Sequence, residues 1–169
     1  MFGITPFGMV HTLISLVSLF GGLYALARYR EIAWVRPSGR LYVWFTVATC
    51  VTGFFIFRHG TFGKPHVLGI VTLVVLAVAW YAERRATPGS LARIVAALAY
   101  TLTLFFHFIP AFTETATRIP EGAPLVAGPE APELQMAVGI AFVVFLVIMV
   151  FQALRIRRER GVALAAARA

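Results

Sequence analysis

Four histidines, His11, His59, His66 and His107, are the side chains here whose chemistry reaches beyond packing. A neutral imidazole offers a lone pair on one nitrogen and a proton on the other. Two of them facing each other can hold the iron of a b-type haem, and three or four converging can hold Zn²⁺ or copper. The other reactive residues are few. Cys50 is the single cysteine, so no intramolecular disulfide forms, and it lies in an apolar stretch where a thiol simply packs. A P-loop, a Rossmann glycine pattern, Cys-x-x-Cys and His-Glu-x-x-His are all absent, so any ligands must converge from separate elements.

Those elements are set by the solvent. Of 169 residues 60% are hydrophobic and 13% charged, more apolar surface than a soluble domain of this length can hide in its own core. Five apolar runs, about 7–27, 41–57, 66–82, 93–112 and 134–154, each approach the ~20 residues that span a hydrocarbon core of ~30 Å. In lipid only helices or closed barrels satisfy their backbone groups, and runs this long without strict alternation are helices. The sequence predicts an all-α protein, a single integral membrane bundle of five transmembrane helices over residues 1–169. The opening, Met1-Phe2-Gly3-Ile4, lacks a basic stretch and a cleavage site, so the first apolar run is expected to stay.

The net charge of +8 does not imply nucleic acid, because the bases lie between the apolar runs. Alternate breaks and the C-terminal tail hold twelve of them: Arg28, Arg30, Arg36, Arg40, Arg84, Arg85, Arg93, Arg155, Arg157, Arg158, Arg160 and Arg168. The other breaks hold three: Arg58, Lys64 and Arg118. By the positive-inside rule the first set is cytoplasmic, which puts the N-terminus outside. The tail from Arg155 to Arg160 is then an orientation anchor, with contact to anionic lipid as a secondary role. Trp34, Tyr42 and Trp44 read as an interfacial aromatic belt.

This topology brings all four histidines toward the outer face. His11 and His107 each stand about five residues inside their spans, or ~8 Å below the boundary, and are expected at similar depth. His59 and His66 flank a turn-forming loop. Polar residues in membrane helices face the bundle interior, and helical spacing gives the stripes: His11, Ser15, Ser18 and Gly22; Thr46, Thr49 and Gly53; His66, Gly69 and Thr72; Tyr100, Thr103 and His107. Small and weakly polar stripes are also what lets membrane helices pack closely. Glu114 shares the face of His107 only if the helix continues past Pro110, which a proline opposes.

Certain residues also resemble a known family. His11 with Gly21-Gly22, Gly39-Arg40-Leu41-Tyr42-Val43, Gly53-Phe54-Phe55-Ile56 and His66-Val67-Leu68-Gly69 are similar to the bacterial membrane proteins grouped as domain of unknown function 2306, over roughly residues 8 to 110. The resemblance implies a multi-pass protein of the bacterial cytoplasmic (inner) membrane and carries no activity. Family members commonly hold two further histidines on the cytoplasmic side; here Val35 precedes Arg36, and Ser90-Leu91-Ala92 precedes Arg93. A two-site electron path is thereby disfavoured, while a single outer site is not.

Three readings follow. In the first, His11 and His107, or His66, ligate one haem b, with Phe105, Phe106 and Phe108 walling the ring. In the second, His11, His59, His66 and His107 gather round Zn²⁺ or copper. In the third, the chain is a non-catalytic bundle working with a membrane partner or a second copy, and its histidines are structural. No ionisable residue sits near the centre of a span, which argues against a transporter.

Overall fold

The computed structural model describes residues 5–57 and 62–166, with side chains as far as residue 159. His59 lies outside the described residues. Five helices follow in order: α1 (Pro6–Tyr29), α2 (Pro37–Gly53), α3 (Lys64–Arg84), α4 (Leu91–Ala116) and α5 (Pro132–Ala166). No strand occurs among the described residues.

Local chemistry sets the helix ends. Thr5 caps α1 by accepting from the Gly8 N–H at 3.1 Å, and Pro6 occupies the first turn, where its missing N–H costs nothing. The helix stops at Arg30, whose left-handed φ of 62° turns the chain while its N–H still reaches the Leu26 carbonyl. Ser90 caps α4 by accepting from the Arg93 N–H. Prolines open α2, α3 and α5 in the same way.

α1, α3, α4 and the stretch Pro132–Glu159 of α5 are long and apolar enough to cross a bilayer. α2 has 17 residues and falls short of that length. It starts four residues earlier than the expected 41–57 run and also ends four earlier, because Phe54, Phe55 and Ile56 turn back on backbone bonds to Cys50, Thr52 and Gly53. α4 departs in the other direction. It passes through Pro110 and ends at Ala116, four residues beyond the expected boundary.

Each helix packs on the next, and α1 also meets α4, which closes α1–α4 into a ring with α5 applied to the outside of α4. The core is Tyr42, Val43, Leu76, Ala79, Tyr100, Leu104 and Phe105, with Ala25 and Ile32. Gly22 permits the α1–α2–α4 junction: a methyl there would come within 2.8 Å of Leu104 and of the Tyr42 ring. Tyr42 is therefore no belt residue. Its side chain is fully buried, whereas Trp34 and Trp44 pair with each other at 5.9 Å. Phe105 and Phe108 both pack against Phe145 of α5.

The two ends of the bundle differ. At one end the α1–α2 connection, the end of α3, the start of α4 and the far part of α5 are tied by Glu31 to Arg93 and Arg155, and by Glu83 to the Trp34 and Val35 backbone. At the other end Lys64 at the start of α3 pairs with Glu130 ahead of α5 at 2.6 Å. The arginine-rich breaks thus share one end, as the alternation of charge requires.

Candidate functional site

The stripes of α1, α2 and α4 meet in one seam. Ser18, Thr46, Tyr100, Thr103 and His107 are buried, as the stripe reading expects. His107 Nε2 lies 3.2 Å from Ser18 Oγ and 3.1 Å from Thr46 Oγ1, and the two hydroxyls are 2.7 Å apart. Ser18 also reaches the Tyr42 carbonyl at 3.2 Å, while the Tyr42 hydroxyl lies 2.8 Å from Thr103 Oγ1.

Counting protons assigns the tautomer of His107. The cluster has four contacts, two of them to Nε2, and each hydroxyl has one proton to give. If Nε2 carries its proton, it donates to the two hydroxyls together, Thr46 donates to Ser18, and Ser18 donates to the Tyr42 carbonyl. Every contact is then made. With the proton on Nδ1, two hydroxyl protons would have to serve four contacts. His107 Nε2 is thus a donor held by α1 and α2, with no lone pair to offer a metal from that nitrogen.

His11 has the same arrangement with its two nitrogens exchanged. Its Nδ1 is 2.8 Å from Thr52 Oγ1, and Thr52 gives its own proton to the Ala48 carbonyl at 2.7 Å. Nδ1 must therefore donate, which leaves the lone pair on Nε2. A ring proton held by a fixed acceptor, with the other nitrogen open, is the usual state of a metal-ligating histidine.

His66 is buried at 5% exposure, stacked between Phe57 and Phe62 at 4.9 and 5.0 Å. Its Nδ1 accepts from the Gly63 N–H at 3.2 Å, reaching back across the first turn of α3 in the manner of half a capping box. The proton then sits on Nε2, which finds no acceptor among the described residues.

The expected pairing of His11 with His107 at one depth is not what the helices deliver. Their α2 partners, Thr52 and Thr46, are six residues apart, and the α1 partner of His107, Ser18, is seven residues from His11. Both rulers give an offset of roughly 9–11 Å along the helix axes. About 6 Å of this comes from α4: because it runs on to Ala116, His107 is nine residues from its end rather than about five. Glu114 does stay on α4, where it pairs with Arg118 at 2.5 Å. Among the described residues no three His, Cys, Asp or Glu side chains gather as a metal-binding group.

Helical spacing does not single out Glu31, which lies in the α1–α2 connection. It is 6% exposed, its carboxylate oxygens each 2.7 Å from Arg93 Nη2, with one of them 2.6 Å from Arg155 Nη2. Gln152 completes this end by donating to the Arg30 carbonyl and accepting from Thr101. One signal existed: Glu31 is a lone acid within the arginines of the first basic break. No family model, curated protein or solved structure matches this chain.

Proposed function

We propose that this chain is a non-catalytic multi-pass membrane protein whose seam histidine, His107, is a structural bolt joining α1, α2 and α4. In this reading α2 is the fifth crossing, the N-terminus is outside, the arginine-rich end is cytoplasmic, and the membrane is the bacterial inner membrane. The kinship with the 2306 family rests on the residues quoted above. The observation that carries the proposal is the saturation of His107 Nε2 by Ser18 and Thr46. Ligation through Nε2 would strip two buried hydroxyls of their shared donor, and unmet buried polar groups cost roughly 1–3 kcal/mol each; only Nδ1 could ligate with the bolt in place. The short α2 is consistent with a crossing because it packs between α1 and α3.

A second reading has its own support in His11. Its Nε2 lone pair, oriented through Thr52, would suit one axial position of haem b, or one Zn²⁺ or copper position, near the outer face. His66 would have to change tautomer to join it.

The test is purification after expression with haem, zinc and copper supplied. Protein that carries none of the three, and in which His107→Ala loses roughly 1–3 kcal/mol of stability while His11→Ala loses little, supports the structural reading. A cofactor present in wild type and lost in His11→Ala, with the fold intact, would replace it by the second. A cofactor lost in His107→Ala at unchanged stability would overturn both.

A further inference from the structure

The face between α3 and α4 at the arginine-rich end carries an open groove of about 650 Å³, within the usual range for ligand sites. Ala77, Ala82 and Ala92 contribute only methyl groups to its lining and leave the space open. Val74, Val78, Tyr81 and Val95 complete an apolar wall, and Arg85 closes the end. From Val74 to Arg85 the groove follows α3 for eleven residues, or ~16 Å, about half of a ~30 Å hydrocarbon core. It therefore has the depth of one leaflet, with a cation where the headgroups begin.

The charge at that end is unbalanced. The two nearby acids are already engaged: Glu31 by Arg93 and Arg155, and Glu83 by the Trp34 and Val35 backbone. Arg85 lies over the Tyr81 ring at 4.2 Å and Arg84 over Trp80 at 4.5 Å, and neither has a carboxylate in ion-pair range among the described residues. Stacking orients a guanidinium and leaves its N–H donors free for an oxygen anion.

We propose that this groove is a binding site for an anionic phospholipid, with one acyl chain along the α3–α4 trough and the phosphate on Arg85. An unpaired guanidinium at the headgroup level supplies the charge selectivity. The one-leaflet apolar trough supplies the chain contact, and basic pockets between membrane helices take such lipids elsewhere. The proposal rests on the membrane-spanning reading given above.

The experiment is native mass spectrometry of the full chain released from bilayers of equal phosphatidylglycerol and phosphatidylcholine. Wild type is expected to retain one phosphatidylglycerol in preference to phosphatidylcholine. Arg85→Gln should reduce that preference about fivefold, the worth of one surface cation near an anionic membrane. Ala92→Phe and, independently, Val78→Trp should reduce retention of both lipids, with thermal unfolding confirming that each variant folds. Equal retention of the two lipids by wild type, or an unchanged preference in Arg85→Gln, overturns the proposal. So does a preference lost in Arg157→Gln/Arg158→Gln but kept in Arg85→Gln, since the tail would then be the binder. Failure of the chain to enter bilayers at all would instead refute the membrane reading on which it stands.

Discussion

Glu31→Gln keeps the shape of a buried side chain and removes the charge that holds the α1–α2 connection to α4 and α5 at the arginine-rich end. The carboxylate receives three charge-assisted hydrogen bonds, two from Arg93 at 2.7 Å and one from Arg155 at 2.6 Å. Bonds of this kind contribute roughly 1.5–3 kcal/mol each, and breaking a buried ion pair costs roughly 3–5 kcal/mol. Water reaches part of the loss, since the side chain of Arg93 is 23% exposed and that of Arg155 35%. We therefore expect roughly 2–4 kcal/mol, which for a chain of this size lowers Tm by roughly 5–12 °C. SDS titration and thermal unfolding in detergent measure it. In a double-mutant cycle, Glu31 should couple to Arg93 by roughly 1–3 kcal/mol, and to Arg155 by less, in the order of their exposure. High salt should change little, because the carboxylate is shielded from screening ions. A Glu31→Gln protein within about 0.5 kcal/mol of wild type, or a cycle with no coupling, would refute the idea that this end is fastened by charge.

Gly22→Ala should destabilise by about 1–2 kcal/mol despite the better helix propensity of alanine, because the new methyl meets the fully buried Tyr42 and Leu104; a variant more stable than wild type would show that α1, α2 and α4 do not approach this closely. For sidedness, Val35→Cys and Leu125→Cys in a Cys50→Ser background place thiols at positions 74% and 70% exposed in opposite sets of connections. An impermeant reagent on intact cells should label the second and not the first, and labelling of Val35→Cys alone would invert the membrane orientation.

The stripes of the histidine seam were legible in the sequence because a helix repeats its face every three to four residues: Ser18, Thr46, Thr103 and His107 could be assigned inward from spacing alone, and they are buried. So were the apolar helices, since length and hydropathy are properties of the chain itself. What spacing cannot give is the axial register between helices. The sequence set His11 and His107 level by measuring each from an apparent boundary, but α4 carries on through Pro110, and His107 sinks to the level of Ser18. Nor can it give the direction of a proton, which depends on neighbours from other helices: Thr52 takes the Nδ1 proton of His11, while Ser18 and Thr46 take the Nε2 proton of His107. Glu31 was hidden for the same reason. Its partners lie 62 and 124 residues away, and an acid surrounded in sequence by arginines became a buried ion pair only when α4 and α5 brought Arg93 and Arg155 to it.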